Sequence, residues 1–249
     1  MKKATHYIAL LLLFAFVAIA SPCNAQEETA ATDYDKEIIG GINFNTNAGL
    51  VGGIMGRYSI RQHSTLFKIL SAEIVNVKHP NETRYQNQST GNIFIAGKQN
   101  YFFVTRLQAG IEKVLFRKAS EDGVQVDLLM AGGLSFGLLK PYFIQYNNGS
   151  TVTIEAYDPK IHDFNRIEGS AGILTGIEKS KLKPGLNFKT GMSFEFGTFS
   201  NGVSGLEAGV GVEIFNETII ILNPLANATS YNKKAFTWLY ANIYFGMRR

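Results

Sequence analysis

The strongest constraint on this chain is a two-residue alternation, repeated along its length, whose two faces differ in kind. From Leu186 to Thr198 one face reads Leu186, Phe188, Thr190, Met192, Phe194 and Phe196. The other reads Asn187, Lys189, Gly191, Ser193, Glu195 and Gly197. The pattern recurs from Ser204 to Ile214, where Leu206, Ala208, Val210, Val212 and Ile214 stand against Gly205, Glu207, Gly209, Gly211 and Glu213. It recurs again over Val124–Leu138 and Phe102–Leu115. Side chains of an extended strand point alternately to opposite sides, so a period of two predicts strands with one apolar face.

Alternation by itself fits two inverted arrangements. A soluble barrel or sandwich turns the apolar face inward, whereas a membrane barrel turns it to lipid and fills its lumen with small and charged residues. Three features favour the second. The strands reach or exceed the 9–11 residues that cross a bilayer when tilted. Their apolar faces are nearly continuous, and their polar faces are rich in glycine, which suits a narrow interior.

Eight strands are predicted, at 37–45, 49–60, 65–77, 99–115, 123–138, 186–199, 203–215 and 234–247. Short polar turns at 61–64, 117–122 and 200–202 alternate with longer segments at 78–98, 139–185 and 216–233. The 45–48 link is the one short member of the longer set. Short periplasmic turns, long outer loops and an even strand number are the plan of an outer-membrane barrel. The expected fold is therefore all-β, a transmembrane antiparallel up-and-down barrel over residues 37–249. Ten strands is the alternative, because 166–179 has room for two more. The third strand alternates least cleanly, at Ile69, Val75 and Val77.

The N-terminus carries a leader. Met1-Lys2-Lys3 precedes an unbroken apolar run from Ile8 to Ala20, and Cys23-Asn24-Ala25 supplies small residues for cleavage. The run is shorter than the roughly 20 residues of a membrane helix. Residues 1–25 thus read as a signal peptide for the Sec pathway of a Gram-negative cell, and 26–36 as a flexible polar segment. Cleavage removes Cys23, the only cysteine, and with it any disulfide, thiol nucleophile or thiolate metal site. It also removes two of the 24 basic residues, leaving 22 against 20 acids. That balance gives no electrostatic argument for nucleic acid as a partner.

Phe236 to Gly246 is aromatic-rich and ends near the C-terminus; Trp238, Tyr240 and Tyr244 are expected at the lipid–water interface. The chain resembles small outer-membrane β-barrels of Bacteroidetes-type bacteria. The resemblance rests on Gly97-Lys98-Gln99-Asn100, Val114-Leu115-Phe116-Arg117-Lys118, Gly132-Gly133-Leu134-Ser135-Phe136-Gly137 with Lys140-Pro141-Tyr142, and Gly176-Ile177-Glu178 with Lys181 and Pro184-Gly185. It implies a barrel and an outer-membrane address but no established activity. Barrels of this kind can serve as accessory subunits of larger outer-membrane machines, including those for protein insertion or export.

Parity assigns Arg57, Arg106, Lys189, Glu112, Asp127, Glu195, Glu207 and Glu213 to the lumen. An eight-stranded barrel is just wide enough for side chains to fill, so these charges are expected to pair as a structural network rather than line a porin-like channel. The 139–185 loop carries Tyr142, Phe143, Tyr146, Tyr157 and Phe164, too apolar for a disordered tail. It is expected to be ordered and to dock on a partner or cap the barrel. No cofactor or metal motif emerges. Tyr157 to Asp163 is the tightest set of candidate ligands, and Asp158-Pro159 reads as ordinary turn chemistry. A barrel hydrolase could be drawn from His162, Asp163 and one of Ser150, Ser170 or Glu168, but spacing does not require it. Expected partners are outer-membrane lipid and other outer-membrane proteins. The competing functions are a lipid- or peptide-hydrolysing barrel enzyme and a soluble exported barrel binding a small molecule.

Overall fold

The computed structural model describes residues 34–117, 123–196, 202–223 and 232–249. The leader at 1–25, residues 26–33 of the flexible segment, most of the turns at 117–122 and 200–202, and residues 224–231 of the last long connection lie outside the described residues.

Thirteen strands follow in order: β1 (Lys36–Asn45), β2 (Gly49–His63), β3 (Leu66–Val77), β4 (Arg84–Gln86), β5 (Ile93–Ile95), β6 (Asn100–Phe116), β7 (Gln125–Pro141), β8 (Phe143–Asn147), β9 (Val152–Ala156), β10 (Ile167–Ser170), β11 (Lys181–Phe196), β12 (Gly202–Ile219) and β13 (Lys233–Arg248). Eight of them close an antiparallel barrel, in the order β1-β13-β12-β11-β7-β6-β3-β2. The segment read as two possible extra wall strands instead supplies β10 to a separate sheet, ordered β10-β8-β9.

The register fixes the geometry of the wall. Ile38 pairs with Tyr58, then the ladder runs through Leu70, Ala109, Gly132, Phe188, Val212 and Thr237. Ile38 itself pairs with Met247, so Thr237 falls opposite position 48, ten residues further along than the start. Eight strands about 4.8 Å apart, with about 3.3 Å rise per residue, then tilt by about 40°. The outward row of β7 from Val126 to Leu138 consequently spans about 30 Å of the barrel axis, the thickness of a bilayer's hydrocarbon core.

That outer wall is apolar. Ile38, Ile54, Leu70, Leu107, Leu134, Leu186, Val210 and Leu239 are all exposed on it. Between Val126 and Leu138 no ionisable side chain faces outward on β7, and none does between Leu182 and Phe196 on β11. The interior holds the charges. A strand buried on both faces, with lipid on one and ion pairs on the other, follows from the alternation without further help.

β11 begins five residues earlier than expected. The expected place of Pro184 and Gly185 is the end of the 139–185 connection, yet Pro184 pairs with Phe136 inside the ladder. β12 joins β11 only from the Gly185–Phe215 pair onward, so Pro184 sits where β11 has one neighbour and its missing N–H leaves no gap.

Candidate functional site

The lumen is built around Arg106 on β6. Its Nε and Nη2 donate to Glu213 on β12 at 3.0 and 3.1 Å, and its Nη1 donates to Glu73 on β3 at 3.3 Å. The guanidinium lies 3.8 Å from the Trp238 ring centre. Lys189 Nζ bridges Glu73 and Glu207 at 2.7 and 3.2 Å. Arg57 then joins Glu207 at 2.8 Å to Glu112 at 3.1 Å. The sequence of contacts Glu213–Arg106–Glu73–Lys189–Glu207–Arg57–Glu112 alternates in sign throughout. All seven groups are buried. In a low-dielectric interior each charge is tolerable only because its neighbours in the chain are opposite in sign.

Toward the short-turn end, Arg248 pairs with Glu37 at 2.7 Å and with Glu195, and stacks 3.8 Å from the Tyr34 ring. Asp127 accepts both of its oxygens' hydrogen bonds from Gln125. Neutral side chains fill the remaining volume: Gln108 donates to Asn187 at 2.6 Å, and Asn43 donates to Asn242 at 2.7 Å.

All eight lumen residues read from parity lie inside. The sequence reading missed Glu73, Glu37 and Arg248. Glu73 shares its inward row with Phe67, Ile69, Val75 and Val77, so no polar stripe marks it. Arg248 lies beyond the last aromatic residue. Its inward parity, shared with Glu37 on the paired strand, was the available signal. The aromatic expectation is corrected as well. Trp238, Tyr240 and Tyr244 are buried in the lumen, not at the lipid interface, each beneath a cation: Arg106, Lys189 and Arg57. The face of an aromatic ring attracts positive charge. Glycine makes the room: a Cβ on Gly211 would overlap the Trp238 ring, and one on Gly205 would overlap Tyr244.

The long-loop end is closed by apolar packing. Val75, Val77, Phe102, Val104, Leu139, Phe215, Ile219 and Ile221 form one buried cluster. After β12 the chain crosses the mouth, where Gln99 and Asn100 donate backbone N–H bonds to the Ile221 carbonyl and Asn223 donates to Gly97. β12 and β6 are separated by two wall strands, so these bonds strap the opening from side to side.

Beyond the strap, connections 78–99 and 142–180 merge into one outer lobe. Phe94, Tyr142, Ile144, Tyr146, Tyr157 and Ile167 form its core. Tyr142 Oη accepts from Ile95 N–H at 3.1 Å, as Tyr157 Oη does from Gly97 N–H at 3.3 Å. Burial pushes both phenols above their ordinary range. Burial likewise pulls the Lys98 ammonium down, against the opposing pull of Glu82 at 2.7 Å. Four of the five aromatic side chains expected to meet a partner are therefore internal: Tyr142, Phe143, Tyr146 and Tyr157 are buried, and Phe164 is exposed. A 39-residue connection needs its own core, and it spends its aromatics there.

His162 closes a turn. Its Nδ1 lies 3.1 Å from the Asp158 N–H and 3.0 Å from the Asp158 carbonyl, and its Nε2 lies 3.2 Å from Glu155. Asp163 caps a short 3-10 turn by accepting from Asn165 N–H, Glu168 accepts from Asn147, and Ser170 accepts from Gly172 N–H. The drawn triad is thus dispersed among separate local structures. Among the described residues, no three His, Asp or Glu side chains gather as metal ligands would.

An apolar wall about 30 Å tall around a charged, filled lumen defines an integral outer-membrane β-barrel. No protein-family model matches the chain, and no curated protein matches it in sequence. Among solved structures it is similar to Ail, the attachment invasion locus protein of Yersinia pestis, at TM-score 0.41 and 12% identity, over 87% of this chain and 99% of that one. It is also similar to Neisserial surface protein A, at TM-score 0.39 and 12% identity, over 89% of this chain and 100% of that one. A structure of Ail with the heparin analogue sucrose octasulfate matches at TM-score 0.39 and 11% identity, over 87% and 99%. The class follows from this chain's own wall and lumen.

Proposed function

We propose that the protein is a non-enzymatic outer-membrane barrel, exported by its leader through the Sec pathway, that works through its outer lobe as a docking subunit for other outer-membrane proteins. The observation that carries this reading is the double closure of the lumen. An alternating ion-pair chain fills its middle, and an apolar plug with a strap seals the lobe end. A barrel closed in this way offers its surroundings an outer wall and a lobe. The lobe has its own core, yet it leaves Tyr85, Ile93, Ile154 and Phe164 exposed. The resemblance of its short motifs to Bacteroidetes-type barrels would accord with a role as an accessory subunit.

Two measurements test this. Purified protein in planar bilayers should show no stepwise conductance, and sustained single-channel currents would overturn the closed-lumen reading. Replacing residues 144–170 with a short glycine linker should leave a heat-modifiable barrel and release the proteins that co-purify with it in mild detergent. Unchanged companions would refute the docking role.

A further inference from the structure

Lys140 occupies an odd place for a lysine. It continues the outward row of β7 above Leu134, Phe136 and Leu138, yet it is only 1% exposed. Its Nζ donates to the Pro141 carbonyl at 3.1 Å and otherwise faces aromatic rings, Tyr101 at 5.1 Å and Phe143 at 5.9 Å. Lys179 Nζ lies over the same Phe143 ring at 5.3 Å. One residue beyond the Lys181–Leu139 pair, and so beside Lys140, Ser180 Oγ is buried without a hydrogen-bond partner. Lys140 and Lys179 thus share the Phe143 ring, and Ser180 stands next to Lys140 in the ladder register at the top of the wall, with Glu178 the carboxylate that acts on Lys140.

The level of this corner is set by the wall below it. Leu138 tops the 30 Å apolar row, and Lys140 stands two residues higher, about 5 Å up the axis, where headgroups begin. The adjoining loop exposes Ile173, Leu174 and Ile177, the second of them at 74%, and Leu182 opens the outward row of β11. The loop's exposed apolar residues therefore lie just before, in sequence, the strand whose outward row already meets lipid.

We propose that this corner binds the phosphate of an outer-leaflet lipid: Ile173, Leu174 and Ile177 enter the upper acyl layer, and Lys179 and Ser180, backed by the positive charge of Lys140, hold the headgroup phosphate. Basic residues beside apolar anchors are the usual means of selecting anionic lipid. The inference rests on the barrel being embedded in a bilayer.

The test uses the full mature chain refolded in phosphatidylcholine nanodiscs carrying spin-labelled phosphatidic acid or, separately, spin-labelled phosphatidylcholine. Phosphatidic acid should be preferred in the motionally restricted shell. Lys179→Gln should cut that preference by about fivefold, the effect of one basic residue at an anionic surface, and Lys140→Gln with Lys179→Gln should erase it. A preference unchanged by Lys179→Gln would overturn the proposal. So would loss of the preference on adding inorganic phosphate but not chloride at equal ionic strength, which would put free phosphate rather than lipid in the site. A bimane label at Leu174→Cys should be quenched by lipids brominated high on the acyl chain; water-like emission would count against the loop's insertion. Each variant is first run heated and unheated on a gel. If the parent shows no shift, the membrane-barrel reading has failed, and not the lipid site alone.

Discussion

Arg106→Leu probes whether the lumen charges act as one closed network. The substitution deletes three charge-assisted hydrogen bonds and the contact with Trp238. Glu73 keeps Lys189 at 2.7 Å, but Glu213 is left with only Ser135, a hydroxyl. Removing one partner of a buried pair costs about 3–5 kcal/mol, and losing a desolvated cation–π contact adds up to about 2 kcal/mol. A loss near 4 kcal/mol is the expected outcome. Removing the orphan as well, in Arg106→Leu with Glu213→Leu, should recover about 3 kcal/mol, because a matched apolar pair replaces a buried ion pair at little cost. Urea equilibrium folding into lipid vesicles, followed by gel shift, measures both variants against the parent; adding Glu213→Leu alone closes the cycle, and the departure of the double variant from the sum of the two singles is the coupling energy. A single variant within about 1 kcal/mol of the parent would mean that water already screens these charges. A double variant no more stable than the single one would mean that Arg106 acts through packing alone. Either result refutes the network as described.

Trp238 is the only tryptophan and points into the lumen, so brominated lipids should quench its emission weakly; strong quenching at mid-bilayer depth would put β13 in the opposite parity. Gly211→Ala pushes a methyl into the Trp238 ring and should cost about 1–3 kcal/mol, relieved when Trp238→Leu is added; an additive double variant would argue against the overlap. Glu155 is held below its ordinary value of 4.5 by Thr153 and then His162. A depressed carboxylate stabilises the fold above its unfolded pKa and loses that contribution as pH falls through the folded one. Protease resistance of the outer lobe should therefore drop below about pH 4.5, and Glu155→Gln should show that lower resistance already at neutral pH; a Glu155→Gln profile superimposable on the parent's would remove Glu155 from the account.

The wall was legible because its signal is local. Lys189 and Glu195 sit inside for the same reason that Phe188 and Phe194 sit outside, and a period of two reads this without any knowledge of neighbours. β3 was harder: its inward row changes from Ile69 through Ser71 and Glu73 to Val75, because the lumen is polar in the middle and apolar under the strap. That boundary belongs to the barrel as a whole and leaves no trace in one strand. The closing strand misled for a related reason. Trp238, Tyr240 and Tyr244 look like interfacial aromatics, and only the cations and glycines on other strands show why they turn inward. The lobe was least legible, since the 78–99 connection meets the 142–180 connection through groups far apart in sequence: in the turn between β4 and β5, the Asn87 side chain donates to the Ile167 carbonyl and Thr90 Oγ1 to the Glu168 carbonyl.

These departures have a common physical origin. A membrane barrel's lipid face rewards any apolar side chain about equally, so it carries stability but little specificity. The barrel's specificity must come from the lumen, where a misplaced charge costs several kcal/mol, and from the ends, where water returns and the hydrophobic effect again favours a core. The chain divides accordingly. Its wall rows are largely interchangeable apolar residues, its lumen is a fixed alternation of charges with Trp238, Tyr240 and Tyr244 packed beneath the cations, and further aromatic clusters form where water meets the ends: Phe102 and Phe215 under the strap, Tyr142 and Tyr157 in the lobe, and Tyr34 at the foot. The lobe folds as soluble proteins do, around an apolar core of its own. Its exposed apolar residues, surplus to the lobe's own core, are therefore where docking should be sought.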